Sequence, residues 1–220
     1  MEAVTRPRVK ICCIGNVEEA RMAIRYGAAA LGLVSAMPSG PGVIAEERIA
    51  EIAWAVPPGV ASFLLTSSQD AEAIIGQQRR CGVNTLQLVD SLSEGSYTRL
   101  RAALPGIGLV QVIHVRGMEA VAEARTVAPY VDAVLLDSGN PGLAIKELGG
   151  TGRVHDWSVS RAIREALDIP AYLAGGLNAE NVQEAIRQVG PFGLDLCSGV
   201  RTDGHLDEEK LAHFFEQAHV

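Results

Sequence analysis

The sequence predicts an α/β fold, a (β/α)8 TIM barrel, in a single domain that covers residues 1–220. Three observations lead to this prediction. Short apolar runs alternate with amphipathic stretches of helical period, eight such pairs follow one another, and no linker rich in proline or glycine divides them. The first strand is not followed by a GxGxxG loop, which disfavours the alternative, an open doubly wound sheet.

Each predicted strand is a short, mostly aliphatic run, as is typical of parallel strands covered on both faces. The strands are predicted at Val9–Ile14, Ala29–Val34, Val60–Leu65, Thr85–Val89, Gly108–Val115, Asp132–Leu136, Ala171–Leu173 and Gly193–Cys197. A helix follows each strand. In the first helix Asn16 is a suitable N-cap, Glu18 lies in the favourable first turn and Gly27 is placed to end the helix. The helices are predicted at Val17–Tyr26, Ala45–Ala55, Asp70–Cys81, Ser96–Ala103, Met118–Val127, Asp156–Leu167, Ala179–Val189 and Asp207–Gln217.

Composition and charge exclude several classes of protein. Hydrophobic residues make up 48% of the chain and aromatic residues only 5%, so we expect a core of small aliphatic side chains. The net charge of -7 predicts no nucleic-acid partner. No apolar run is long enough to cross a bilayer and the N-terminus lacks a signal peptide, which predicts a cytoplasmic protein without a membrane partner. The spacing of the four cysteines resembles no zinc site, so no metal is predicted.

Two glycine-containing loops predict a phosphate site. In a barrel of this kind the functional residues lie at the carboxyl ends of the strands, and the last two loops commonly bind phosphate. Glycines there let backbone N–H groups approach an anion, although they also serve simply as tight turns. The predicted phosphate-binding residues are Gly175 and Gly176 after strand seven, and Ser198 and Gly199 after strand eight. The predicted partner is therefore a small phosphorylated substrate.

Two further strand ends carry groups that can transfer protons. Strand one ends in Cys12 and Cys13, and the alternation of a strand predicts that one thiol points into the barrel and the other toward the helices. Asp137 directly follows strand six. A thiol and a carboxyl on two sides of one pocket suit an isomerisation, in which one group removes a proton and the other delivers one. The alternatives are core cysteines and a turn-forming aspartate.

At this point the residues resemble a known family. The motifs are Lys10-Ile11-Cys12, Leu135-Leu136-Asp137-Ser138, Gly149-Gly150-Thr151-Gly152, Leu173-Ala174-Gly175-Gly176-Leu177-Asn178 and Ser198-Gly199-Val200. In this order and spacing, over nearly the whole chain, they resemble phosphoribosylanthranilate isomerases of tryptophan biosynthesis. The resemblance implies an Amadori rearrangement of N-(5-phosphoribosyl)anthranilate without any cofactor. It makes Cys12 the general base and Asp137 the general acid, and it assigns the phosphate to the two glycine-containing loops.

The resemblance also implies substrate contacts at Gln87 and a lid over the ligand. The predicted lid residues are Gly150, Thr151 and Gly152. The family carries a glycine, an arginine and a histidine at three places where this chain departs from it. The residues found there are Cys13, Gly42 and Val89. Because the arginine binds the anthranilate part, its loss leaves two alternatives to the favoured isomerase. One is a diverged enzyme for another phosphorylated sugar or metabolite, and the other is a non-catalytic phospholigand-binding paralogue. A monomer or a homodimer is expected.

Overall fold

The computed structural model describes residues 6–139, 142 and 154–218, and it confirms the predicted barrel. Eight parallel strands pair in chain order and close on themselves. The strands are β1 (Arg8–Ile11), β2 (Ala30–Val34), β3 (Ala61–Thr66), β4 (Thr85–Leu88), β5 (Gly108–His114), β6 (Ala133–Asp137), β7 (Ala171–Leu173) and β8 (Gly193–Leu196). The barrel closes where β1 pairs with β8, from Arg8 beside Gly193 to Ile11 beside Leu196. We call this line of closure between β1 and β8 the seam.

A helix follows each strand in the described part of the chain and covers the outside of the sheet. The helices are α1 (Val17–Arg25), α2 (Glu46–Ala55), α3 (Ala71–Cys81), α4 (Glu94–Ala103), α5 (Glu119–Val127), α6 (Trp157–Ala166), α7 (Val182–Val189) and α8 (Glu208–Ala218). Short 3-10 turns follow at Ala128–Tyr130 and Ser198–Val200. A small antiparallel hairpin, Arg201–Thr202 with His205–Leu206, follows the second turn. None of the described helices has the length and apolar character needed to span a bilayer.

Local sequence signals fix several helix ends. The Asn16 side chain accepts a hydrogen bond from the Glu19 N–H at 2.8 Å, as the predicted N-cap of α1. Asp70, predicted as the first residue of α3, is instead its N-cap. The C-cap of that helix is Gly82, whose φ of +68° is the left-handed conformation that glycine adopts without strain. Helix ends therefore agree with the sequence to within a few residues.

The apolar side chains form two layers. Aliphatic residues of the strands pack outward against the helices and form the larger core. A smaller cluster fills the inside of the barrel, where Tyr172 makes edge-to-face contacts with Phe63 and Phe192 at centroid distances of 6.0 and 5.4 Å. These rings fill one part of the barrel interior. The carboxyl ends of all eight strands meet at one edge, so the loops that follow them surround a common space.

Candidate active site

An open pocket of about 670 Å³ lies at the carboxyl-terminal edge of the barrel. This volume includes the open solvent at the mouth of the pocket. The pocket brings together most of the predicted site residues: Cys12, Gln87, Asp137, Gly175, Gly176 and Ser198. Gly199 follows Ser198 in the same turn. The predicted lid residues lie outside the described residues: Gly150, Thr151 and Gly152.

Cys12 and Cys13 both line this pocket, so the prediction that they point to opposite faces is wrong. The strand ends at Ile11, and the alternation of an extended chain no longer applies beyond it. Cys13 has a φ of +62°, in the left-handed region that residues with a Cβ rarely occupy. This turn of the backbone places both thiols on the pocket side. Glycine, the usual residue of the family at this position, adopts such a φ without strain.

Asp137 ends β6 with its side chain buried in the pocket wall. Its Oδ1 accepts a hydrogen bond from the Ser138 N–H at 2.8 Å. Burial raises the pKa of Asp137 from 3.8 to about 6, and the negative charge of Asp195 acts in the same direction. A carboxyl group with this pKa keeps a protonated fraction near neutral pH, which a general acid needs.

A buried ion pair lies beneath the pocket. Lys10 on β1 is fully buried, and its Nζ lies 2.7 Å from Asp195 Oδ1 on β8. Burial alone lowers the pKa of Lys10, but attraction by Asp195 and Cys12 outweighs it, so the pKa lies above its ordinary value. Gly32 on β2 leaves the space for these groups, because a Cβ there would lie 2.8 Å from Cys12 Sγ and 2.9 Å from Lys10 Nζ. A positive charge therefore lies beside the Cys12 thiol.

Lys10 and Asp195 are site residues that were not predicted from the sequence. Each is a charged residue between two aliphatic neighbours, Val9 and Ile11 in one case and two leucines in the other. Charged side chains are almost never fully buried unless they are paired. The first and last strands become neighbours when the barrel closes, and each carries one such residue between apolar neighbours. That pattern was the signal from which the pair could have been predicted.

Arg201 holds the backbone of the cysteine loop. Its Nη2 donates to the carbonyl oxygens of Cys13 at 2.6 Å and Cys12 at 3.2 Å, and its Nη1 donates to Glu19 Oε1 at 3.0 Å. Glu19 also accepts hydrogen bonds from the N–H groups of Gly15 and Leu206, at 2.9 and 3.0 Å. These contacts lower the pKa of Glu19 although burial opposes them. The network fixes the loop after β1 to the hairpin after β8.

The two predicted phosphate loops pack against each other. Gly175 and Gly176 have φ values of +84° and +64°, so both take the left-handed conformation that favours glycine. Asn181 Nδ2 donates to the Gly176 carbonyl oxygen at 2.9 Å and holds this loop. A Cβ on Gly199 would collide with the Leu177 carbonyl oxygen. Only glycine at position 199 permits this close approach of the two backbones.

The chain matches a family of known proteins over most of its length. The family model described as N-(5'phosphoribosyl)anthranilate (PRA) isomerase matches residues 9–217. The chain belongs to this family. N-(5'-phosphoribosyl)anthranilate isomerase 2 of Methanosarcina mazei is 38% identical, over 96% of this chain and 93% of that protein. The isomerase of Haloferax volcanii is 35% identical, over 96% and 92% of the two chains.

Solved structures of the family have the same fold. The phosphoribosyl anthranilate isomerase from Thermotoga maritima has a TM-score of 0.80 and 30% identity, over 96% of this chain and 98% of that one. A phosphoribosyl anthranilate isomerase in complex with reduced 1-(o-carboxyphenylamino)-1-deoxyribulose 5-phosphate has a TM-score of 0.77, 28% identity, and the same coverage. The predicted resemblance and the predicted enzyme class, an isomerase, are confirmed. Among the described residues, no group of three or more His, Cys, Asp or Glu side chains is arranged to hold a metal ion.

Two of the three departures from the family are in direct contact. Gly42 has a φ of +78°, and a Cβ at this position would lie 2.5 Å from Cys13 Cβ and 2.9 Å from Cys13 Cα. The Cys13 side chain therefore fills the space that an arginine at position 42 would need for its first carbon. The side chain at position 13 and a side chain at position 42 therefore compete for the same space. The third departure, Val89, is buried, and its carbonyl oxygen is hydrogen-bonded to His114 Nε2 at 3.1 Å.

This competition predicts a strong coupling between positions 13 and 42. We expect Gly42→Ala to destabilise the protein, and Cys13→Gly to remove the part of that loss that comes from the Cys13 side chain, while the close approach to the backbone Cα at position 13 stays. The coupling energy is expected to be about 0.5–3 kcal/mol, as for residues in contact. The strain of the left-handed φ at Gly42 is present in both backgrounds and cancels. Urea unfolding of the two single variants and the double variant measures the coupling, and additive losses would contradict it.

Proposed function

We propose that the chain converts N-(5-phosphoribosyl)anthranilate to the corresponding 1-deoxyribulose 5-phosphate by an Amadori rearrangement, as an isomerase of tryptophan biosynthesis. The observation that carries the proposal is the placement of Cys12 and Asp137 in one pocket of a barrel of this family. The name of the bound molecule in one related structure supports the substrate class, since it is a reduced form of such a product. The reaction needs acid and base but no net oxidant.

Asp137 is proposed as the general acid. Its protonated carboxyl gives a proton to the ring oxygen of the ribose, the bond from that oxygen to C1 breaks, and the anthranilate nitrogen forms an iminium with C1. Burial of Asp137 supports this role because it raises the pKa of the carboxyl to about 6 and keeps part of it protonated.

Cys12 is proposed as the general base. Its thiolate removes the proton from C2 of the iminium, and the electrons of the C–H bond form an enamine between C1 and C2. The enol hydroxyl at C2 then loses its proton to solvent and becomes the ketone of the product, while the electrons of the C1–C2 double bond take up a proton at C1. The position of Cys12 supports this role, because its sulfur lies in the pocket wall beside the fixed positive charge of Lys10.

The loops at Gly175, Gly176, Ser198 and Gly199 are proposed to bind the substrate phosphate. Three of these residues line the pocket, and the fourth lies in the same turn. Gln87 is proposed to contact the anthranilate end. It lines the pocket, and its Oε1 is buried without a hydrogen-bond partner in the described part of the chain. Such an acceptor is costly until a donor reaches it, and the secondary amine of the substrate is a suitable donor.

The decisive experiment is turnover by the purified chain. We expect the N-(5-phosphoribosyl)anthranilate peak to be replaced by its isomer on a chromatogram, and we expect the gene to restore growth of a tryptophan auxotroph that lacks this isomerase. Both activities are expected to disappear with Cys12→Ala and with Asp137→Ala. A folded protein that neither turns over this substrate nor restores growth would contradict the proposal. Thermal stabilisation of that protein by simple sugar phosphates would then favour the diverged enzyme.

The oligomeric state stays a prediction, a monomer or a homodimer. One related solved structure is described as a monomer generated from the dimeric phosphoribosylanthranilate isomerase of Thermotoga maritima. The cytoplasmic location and the absence of a cofactor also stay predictions. Sedimentation of the purified chain distinguishes the two oligomeric states.

A further inference from the structure

Two thiols meet at the pocket, beside the seam. Cys13 follows β1 and Cys197 follows β8, and their Sγ atoms are 2.7 Å apart although 184 positions separate the residues in sequence. Both side chains line the open pocket, so a small oxidant in solution reaches them through its mouth. The proposed reaction uses neither thiol. Of the other two cysteines, Cys12 lines the same pocket and Cys81 is buried at the end of α3.

We propose that Cys13 and Cys197 form a modification site, a dithiol that hydrogen peroxide oxidises to a reversible disulfide. The geometry carries the proposal. Because an S–S bond measures about 2.05 Å, the two sulfur atoms need to approach by less than about 1 Å. The loops that carry them are already fixed to each other, since Arg201 after β8 holds the Cys13 carbonyl oxygen at 2.6 Å.

The surroundings of the two thiols make Cys197 the attacking group. The hydrogen bond with Cys13 lowers the pKa of Cys197, and the positive charge of Arg201 acts in the same direction against burial. Hydrogen bonds with Cys12 and Cys197 raise the pKa of Cys13. A thiol with a lowered pKa near a cationic group, with a second thiol in contact, is the arrangement found in redox-sensitive cysteine pairs.

The oxidation balances with hydrogen peroxide alone. The Cys197 thiolate attacks one peroxide oxygen, the O–O bond breaks, and the departing hydroxide takes up a proton and leaves as water. Cys197 is then a sulfenic acid. Cys13 loses its proton and its sulfur attacks Cys197 Sγ, the S–O bond breaks, and the second water leaves. The two thiols lose two electrons together, and one peroxide molecule is reduced to two water molecules.

The disulfide acts on the proposed active site through its neighbours, and this consequence rests on the proposed function. Cys13 follows the proposed base Cys12, and Cys197 precedes Ser198 in the proposed phosphate loop. Formation of the bond draws the two sulfur atoms together by less than about 1 Å, and the segments that carry Cys12 and Ser198 move by part of that distance. We expect kcat/KM to fall about tenfold or more, because a displacement of 1 Å at reacting groups costs as much as about 10²-fold. Reduction by dithiothreitol restores it.

Peptide mapping tests the site without any assay of activity. After treatment with hydrogen peroxide and digestion by trypsin, we expect the peptides 11–21 and 188–201 to be joined by a disulfide. Because Cys12 and Cys13 share the first peptide, the Cys12→Ser protein must still form the bond and the Cys13→Ser protein must not. Cys81→Ser is the matched control at a distant thiol, and we expect it to behave as the unmodified chain does.

Three results would overturn the proposal. The first is that the peptides 11–21 and 188–201 stay unmodified after an oxidation that modifies Cys81. The second is a disulfide between the two peptides that forms equally well in Cys13→Ser, because Cys12 would then be the partner of Cys197. The third is a disulfide that leaves kcat/KM unchanged in a chain with isomerase activity. If the chain has no such activity, the map still decides the site, so failure of the proposed function and failure of this proposal are distinguishable.

Discussion

Asp137→Asn is expected to lower kcat by about 10²–10⁴-fold, the usual contribution of a positioned general acid. Asparagine has nearly the same shape but no proton to give to the ring oxygen. The fold should persist, because the amide side chain still accepts the hydrogen bond that the Ser138 N–H now donates to Asp137. Initial rates and thermal unfolding of the same preparation measure the two effects separately.

The rate is also expected to depend on pH through the carboxyl group of Asp137. Burial raises the pKa of Asp137 to about 6, so the acid form dominates below pH 6 and declines as the pH rises above it. The rate is therefore expected to fall on the alkaline side of a pKa near 6, and this limb should be missing in Asp137→Asn. Asp203→Asn is the matched control, because Asp203 is an exposed carboxylate in the hairpin. An unchanged pH profile in Asp137→Asn would remove Asp137 from the proposed role.

Lys10→Met is expected to cost about 3–5 kcal/mol of unfolding free energy, the loss typical of a buried charge left without its partner. Asp195 remains in the barrel interior at 7% exposure with its counter-ion removed. The double variant Lys10→Met with Asp195→Leu is expected to lose much less, because no charge is then left unpaired.

Chemical denaturation of the three proteins measures these free energies. Arg25→Met is the surface control, since Arg25 pairs with Glu208 at 3.0 Å while both side chains are more than half exposed. Water and ions screen such a pair, so we expect its removal to have a much smaller effect. If Lys10→Met loses no more free energy of unfolding than Arg25→Met, the buried pair does not stabilise the barrel as expected.

The order of the elements and the class of the fold were predictable because they depend on local patterns. Aliphatic runs and helical periodicity repeat in every unit, and the barrel follows once eight of them are joined. The caps at Asn16 and Asp70 are also local, because the side chain bonds to an N–H within three positions. The end of β1 was not predictable, since the left-handed backbone of Cys13 interrupts a run that remains apolar.

The contacts that complete the site depend on pairs far apart in the sequence. Lys10 and Asp195 are separated by 185 positions, and only the register of β1 against β8 brings them together. Cys13 and Gly42 were predictable as separate departures from the family, but their contact requires the path of the loop after β2. The sequence suggested which residue types form the pocket. The distances among them come from closure of the barrel.

The seam also sets an order of events during synthesis. Lys10 is synthesised before Asp195, Cys197 and Arg201, which follow it in the chain by at least 185 positions. Until β8 is made, β1 has no neighbour on one side, and an unpaired strand edge can pair with other chains. The nascent protein therefore has neither its buried ion pair nor the frame of its pocket until β8 is released. A ribosome that stalls before this strand leaves an aggregation-prone open sheet without a catalytic centre.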